Sequence, residues 1–370
     1  MRLIKHIKFK NALALLGGIL LINVNVMGQT FTEILARPTN TTITMSILFD
    51  QKADVYWEYG TTSGTYTNTT PTYVAVPDSA FIIDFINLQP NTKYYYRTRS
   101  RVNGTTTAYQ TGTERSFHTA RPAGNTFSFA IEADPHMDTN SNPTAYTLTL
   151  QNILAQSPDF LIDLGDIFMS EKLPVINPTE IRSRHLLYRP YFGATCHSVP
   201  LFLVIGNHEG ELGWMNNGTD TCLPVRASNI RRQYYPNPLP NTFYSGDSVE
   251  EPHVGLRGNY YSYEWGNCLI VVLDPYWYTL TKPGWGWTLG ATQYNWFKNV
   301  LNNSHAKFKF VFCHQLVGGN GSDGRGGIEF ADFWEMGGEN ADSTFGFNTN
   351  RPGWDSPIHQ LMLDNQVNVF

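Results

Sequence analysis

Cysteine is scarce in this chain, with four among 370 residues, at positions 196, 222, 268 and 313. Their spacing matches no zinc-binding pattern, which excludes a cysteine-built zinc module. Cys196 and Cys222 both lie near loop sequence and can pair in an oxidising compartment, whereas Cys268 and Cys313 sit in apolar, strand-like runs that suit buried thiols. Positive charge is also in short supply. Lysine and arginine total 26 against 31 aspartates and glutamates, a formal net charge of -5, and no basic patch stands out. Nucleic acid is therefore not expected as a partner. After residue 28 no run is long and apolar enough to cross a membrane. Internal repeats and low-complexity tracts are absent too, so the chain is not a repeat array.

What is present starts with an export signal. Met1 to Lys10 is a basic run, Ala12 to Val26 is apolar, and Val26-Met27-Gly28 offers small or moderate residues where a signal peptidase cuts. Asn23 and Asn25 interrupt the apolar stretch, which is short for a span. No Cys follows it, so a lipoprotein is not expected. Residues 1–28 thus read as a signal peptide and the mature chain as secreted or periplasmic.

The length suggests two domains. Residues 29–120 show short β-rich runs without helical period: Thr42 to Phe49, Ala53 to Tyr59, Phe81 to Leu88, Lys93 to Val102 and Thr113 to Thr119, with turn signals at Gly60, Gly64 and Asn103-Gly104. This spacing predicts a β-sandwich. Arg121 to Asn125 reads as a linker. From 125 to 370 strands alternate with helices, which predicts a layered α/β domain. Strands are expected over Thr126 to Ala133, Phe160 to Leu164, Pro200 to Ile205 and Phe308 to Cys313, with a hairpin turning at Gly266-Asn267. Helices are expected around Tyr146 to Leu154, over Pro178 to Tyr188, Ala291 to Leu301 and Ile358 to Leu363.

Four chemically suggestive clusters each follow a predicted strand: Asp134-Pro135-His136, Gly165-Asp166, Gly206-Asn207-His208-Glu209, and His314. Ligands bind beyond the carboxyl ends of strands in open α/β sheets, so all four are expected on one edge of one sheet. Carboxylate and imidazole donors suit zinc, iron or manganese. Asp166 can bridge two ions, Asn207 offers an amide oxygen and His314 another imidazole. Two such ions clamp a phosphoryl group and activate water. They also give an acidic protein the local positive charge that an anionic substrate requires.

In this order the motifs resemble those of the calcineurin-like metallophosphoesterases, and the β-rich segment before them resembles the fibronectin type III-like domain of purple acid phosphatases. Leu88-Gln89-Pro90-Asn91-Thr92-Lys93-Tyr94 is similar to a fibronectin type III strand corner, with Tyr94 as its tyrosine. The resemblance implies an α/β/β/α metallophosphoesterase fold. It implies that Asp134, His136 and Asp166 hold one ion, and that Asp166, Asn207 and His314 hold the other. His208 would contact the phosphate and assist the leaving group. The implied activity is an exported phosphatase acting on phosphomonoesters, with a phosphodiesterase or nucleotidase on the same site as the alternative. Arg325 and Arg351 are candidates for a substrate phosphate, although solvated loop arginines are commoner. Trp285 and Trp287 either wall an organic leaving group or pack their loop.

Two departures accompany the resemblance. Purple acid phosphatases carry a ligating Tyr three residues after the Asp of Gly-Asp, where this chain has Met169, and they often have Gly where this chain has His136. A mixed-valence iron centre is therefore less expected than ligation as in the wider superfamily. The family also closes its site with Gly-His-x-His, a motif this sequence lacks. Val367 to Phe370 reads as the start of the strand that would carry it. Each ion then has three protein ligands, one shared, and weaker binding is expected. A non-catalytic surface-binding protein on a decayed enzyme fold is the remaining alternative. Every ligand position the chain reaches holds a competent residue, which favours the enzyme.

Overall fold

The computed structural model describes residues 29–137, 141–319 and 327–370. The expected signal peptide lies outside them. The amino-terminal part is a β-sandwich. One of its sheets contains β1 (Phe31–Ala36), β2 (Ile43–Phe49) and β6 (Phe81–Phe85). The other contains β3 (Ala53–Gly60), β4 (Asn68–Thr69), β5 (Tyr73–Ala75), β7 (Lys93–Val102), β8 (Gln110–Thr111) and β9 (Arg115–His118). Alternation explains the packing. In β7, Tyr94, Tyr96, Thr98 and Ser100 point inward while the residues between them stay partly exposed. Tyr94 and Tyr96 meet Ile43, Met45, Ile47, Val55, Trp57 and Phe85 in one apolar cluster. The Tyr94 hydroxyl accepts the Gln89 N–H at 2.8 Å, the tyrosine-corner bond that the fibronectin type III resemblance implied.

The α/β part follows. Strands β10 (Phe129–Glu132), β11 (Phe160–Asp163) and β12 (Leu201–Leu203) run parallel, joined by α1 (Pro143–Gln156) and α2 (Pro178–Cys196). Asn142 caps α1 by accepting the N–H groups of Thr144 and Ala145, with Pro143 at the first helical position. Then come α3 (Leu223–Tyr234), β13 (Ser245–Gly246), β14 (Tyr261–Trp265), β15 (Cys268–Val272), α4 (Ala291–Asn303), β16 (Phe308–Phe312), α5 (Trp334–Gly337), α6 (Phe347–Asn350) and α7 (Ile358–Asp364). β14 and β15 form the expected hairpin, and β15 pairs in parallel with β16. Val369 continues beside β16 through a parallel bridge to Phe310.

These strands form two sheets, not one. β10, β11 and β12 belong to the first; β13 to β16 form the second. Phe160, Ile162, Phe202 and Val204 of the first face Tyr261, Tyr263, Trp265, Ile270 and Phe312 of the second, and the Phe202 and Tyr263 rings stack at 4.5 Å. On the outer faces, Leu161 and Leu203 join Tyr188 and Phe192 of α2, while Val271 and Val311 join Phe297 and Leu301 of α4. The result is the α/β/β/α layering the resemblance implied.

The two parts share a sheet. Ala36 of β1 pairs in parallel with Leu201 of β12, so the sandwich sheet continues the α/β sheet. Arg189 of α2, fully buried, locks the junction. Its guanidinium donates to Thr32 Oγ1 at 2.9 Å, to the Tyr234 carbonyl at 2.6 Å and to the Ser46 carbonyl at 2.6 Å. This is why β2 alternates apolar and polar residues although nearly all of it is buried. Ile43, Met45 and Ile47 face the sandwich core, and Ser46 faces Arg189 and α3.

Several expectations need correcting. α2 runs through Pro190 to Cys196, eight residues past the expected end at Tyr188. α3 and β1 were not anticipated. All four cysteines are free. Cys196, the last residue of α2, lies in the main core and Cys222 in a separate cluster with Val225, Val254 and Trp277, and the expected pair is not formed. Among the described residues no helix is long and apolar enough to cross a membrane.

Candidate metal centre

The turns after β10, β11 and β12 lie side by side and are tied by main-chain bonds. Asp134 N–H donates to the Gly165 carbonyl and His136 N–H to the Asp166 carbonyl, both at 3.1 Å. Three candidate ligands adopt left-handed backbone there: Asp134 at φ +55°, His136 at +41° and Asp166 at +59°. Non-glycine residues reach this region rarely and at a cost of order 1 kcal/mol, a feature that concentrates at functional sites. The turns also demand glycine. A Cβ on Gly206 would sit 2.2 Å from Asp166 Oδ1, and one on Gly165 would sit 2.4 Å from the Gly206 nitrogen.

Glu209 holds these turns from beneath. Its buried carboxylate accepts the N–H groups of Asp166 at 3.0 Å, Ile167 at 2.8 Å and Gly206 at 2.6 Å. Burial, and then the nearby Asp166 carboxylate, push its carboxyl up to about 7.

Asp166 is the focus. It is 3% exposed, and its Oδ2 lies 3.1 Å from His314 Nε2, 3.7 Å from His136 Nε2 and 3.9 Å from His208 Nε2. Its Oδ1 accepts the His208 main-chain N–H at 2.8 Å. Asp134 Oδ1 is 3.5 Å from His136 Nε2. Burial works against a charge on Asp166, but the imidazoles of His314 and His208 outweigh it and hold the carboxyl below its ordinary value. Burial likewise opposes charge on His314, and the Asp166 carboxylate overrides it, lifting the imidazole to about 9.

Two rings are oriented from behind. His314 Nδ1 lies 2.8 Å from the Leu164 carbonyl, and His208 Nδ1 makes a short bond to Glu171 Oε1. Each bond commits Nδ1 as the donor and turns Nε2 toward Asp166, the arrangement by which second partners fix metal-binding imidazoles. Sequence reasoning missed Glu171. It lies in a short 3₁₀ turn, Ser170–Lys172, with no periodic pattern to mark it.

The donors form two groups able to hold a metal ion: His136 with Asp166 and His208, and Asp134 with Asp166 and His314. Asp166 belongs to both. The grouping cuts across the expected ligand sets, since Asp134 converges with His314 and His136 with His208. The donor set also leaves buried polar atoms without protein partners, namely Asn207 Oδ1 and His136 Nδ1. An amide oxygen buried beside carboxylates and imidazoles fits a cation. The residues present therefore suit metal ions. His314 reaches the group from β16, across the interface between the sheets, and not from the sheet edge that carries the others.

The remaining candidates lie elsewhere. Arg351 donates to Glu335 at 2.5 Å and to the Trp285 carbonyl at 2.6 Å, so its guanidinium ties loops together. Arg325 lies outside the described residues. Trp287 is fully buried against Trp214 and Tyr276, and Trp285 donates to Asn340 Oδ1 at 2.8 Å, which favours the packing reading for both. The cavity beside the centre, about 280 Å³, is lined by Asn207 and His208 together with Glu171, Lys172, Leu212, Trp214, Met215 and Lys282.

Residues 127–341 match the family model for the calcineurin-like phosphoesterases. Among solved structures, a purple acid phosphatase from seeds of yellow lupin (Lupinus luteus) aligns with TM-score 0.58 and 15% identity over 92% of this chain and 57% of its own. The structure of PhoD aligns with TM-score 0.54 and 18% identity over 76% of this chain and 61% of its own. At these identities the likeness is one of fold, and this chain spans about three fifths of the length of either. A search of curated protein sequences finds no match.

Proposed function

Because the chain belongs to the calcineurin-like phosphoesterase family, we propose that it is an exported phosphomonoesterase with a dinuclear metal centre, residues 29–120 forming the sandwich domain and 125–370 the catalytic domain. One observation carries the reading: three imidazole Nε2 atoms lie within 3.1 to 3.9 Å of the single oxygen Asp166 Oδ2. Asp166 is the shared ligand. Asp134 and His314 would complete one position and His136 the other, with Asn207 adding its amide oxygen. Ions bound there supply Lewis acidity toward the phosphoryl oxygens and activated water near neutral pH.

The chain's own residues do the rest. His208, with Nδ1 held by Glu171, presents Nε2 to the cavity and gives its proton to the leaving-group oxygen. Glu171 fixes the ring and stabilises its positive charge, as a carboxylate does behind a catalytic imidazole. His208 also lies within reach of an ion through its group with His136 and Asp166, so its role needs its own test. In metal-loaded protein, His208→Ala is expected to lower kcat on 4-nitrophenyl phosphate by about 10²-fold or more while metal content stays near the wild-type value. Loss of metal in step with activity would instead make His208 a ligand, and unchanged turnover would remove it from the mechanism.

A further inference from the structure

The cavity beside His208 has an apolar wall that phosphoryl transfer itself does not use. Leu212, Trp214 and Met215 line it next to Asn207 and His208. All of them come from the same loop after β12, so the wall follows the reacting residues directly in the chain. Leu212 is buried, whereas Trp214 and Met215 keep part of their surface open. The segment is firmly held. Gly213 N–H donates to the Tyr276 carbonyl at 3.0 Å, and the N–H groups of Met215 and Asn216 close a 3₁₀ turn on the carbonyls of Leu212 and Gly213 at 2.9 and 3.0 Å. Trp214 packs against Tyr276 and Trp287, with ring centres 6.2 and 5.9 Å away, and the Lys282 ammonium lies 4.3 Å from its own ring centre. These neighbours fix the indole, and the rest of its surface lines the cavity.

An indole already fixed in place loses little further freedom when a ligand packs on it. Contact between two aromatic rings adds to the gain from area burial, and the Met215 thioether suits a ring edge. The room is adequate. The cavity holds about 280 Å³, and an apolar cavity of roughly 150 Å³ admits benzene. Position in the reaction follows from His208. Its ring faces the leaving-group oxygen, so a group held in the same cavity belongs to the departing alcohol and not to the phosphoryl group. Trp285 and Trp287, the tryptophans expected from the sequence to form such a wall, are used in packing. Trp214 stands where that wall is needed.

Building on the phosphomonoesterase reading, we propose that Trp214, with Leu212 and Met215, receives an aromatic ring of the leaving group, and that the enzyme selects phosphomonoesters of aromatic alcohols over those of small aliphatic ones. The test compares benzyl phosphate with methyl phosphate by the ratio of their kcat/KM values. Both release a primary alcohol of nearly equal acidity, so the ratio reads recognition of the ring and not the ease of departure. The ratio is measured for metal-loaded wild type, Trp214→Ala, Trp214→Phe and Met215→Asn. Burial of one ring should give wild type a ratio of about thirty or more. Trp214→Ala should lower it about tenfold and Met215→Asn about threefold, while Trp214→Phe keeps most of it because an aromatic face remains. A wild type that turns over both esters equally, or a high ratio that Trp214→Ala keeps, overturns the ring subsite. If Trp214→Ala does not fold, Met215→Asn decides in its place by the same criterion. Titration calorimetry with benzylphosphonate and methylphosphonate, whose P–C bonds resist hydrolysis, separates the subsite from the chemistry. If no protein turns over either ester, tighter benzylphosphonate binding that Trp214→Ala loses upholds the subsite while the catalytic reading fails; equal binding of both phosphonates by wild type overturns the subsite itself.

Discussion

Glu209 accepts the main-chain N–H of Asp166 at 3.0 Å from within the protein, while Asp166 turns its carboxylate outward to three imidazoles. The residue that collects the ligands is thus held by its backbone, and its side chain is left for chemistry. Glu209→Ala would strand three buried N–H groups, those of Asp166, Ile167 and Gly206. At about 1–3 kcal/mol for each unsatisfied group, the loss should be roughly 3 kcal/mol or more. Urea unfolding measures it, and metal content should fall as the turns lose their register. A variant as stable as wild type, with its metal intact, would mean that the turns do not depend on Glu209.

Glu171 acts through His208. Glu171→Gln keeps the shape but removes the charge that stabilises a protonated ring, so kcat on 4-nitrophenyl phosphate should fall about 10- to 100-fold with KM and metal content little changed. A parallel loss of metal would assign Glu171 to the centre's structure instead.

A pH effect is also expected at a buried histidine that ligates nothing. His185 of α2 is 2% exposed, enclosed by Phe168, Tyr234 and Tyr235. Burial, and then Arg231 and Arg182, push its imidazole down to about 3 from an ordinary 6.5. A depressed histidine is neutral in the fold, so its contribution is fully present above pH 6.5 and is lost as pH falls toward 3. Between pH 7 and 5 that loss is about 2 kcal/mol, from 1.5 pH units at ~1.4 kcal/mol each. His185→Phe should flatten this part of the stability curve in denaturant titrations at the two pH values. Equal pH dependence in both proteins would show that His185 takes up no proton on unfolding.

The sequence carried the ligand positions because short strands ending in Asp or His are local signals: Asp134, Asp166, Asn207 and His314 all stand within four residues of a strand end. Sheet membership was not local. β16 was expected beside β10 to β12, but the β14–β15 hairpin gives it a parallel partner in a second sheet, and nothing in Phe308 to Phe312 encodes that choice. α3 was legible in principle, since Leu223, Ala227, Ile230 and Tyr234 recur at helical spacing and are all buried. Arg231 and Arg232 obscured the pattern, for Arg231 looks like a surface residue yet is buried against Glu211 and Asn259. Glu171 escaped because its meaning lies in a partner distant in sequence, His208, thirty-seven residues away.

The most direct test is a metal titration of wild type and Asp166→Asn, followed by calorimetry with Mn²⁺ or Zn²⁺. If Asp166 is shared between two ions, wild type binds two per chain, and the single substitution weakens both together and abolishes 4-nitrophenyl phosphate hydrolysis. A wild-type protein that binds one ion or none, or an Asp166→Asn variant that still holds two, would contradict the dinuclear centre on which this account rests.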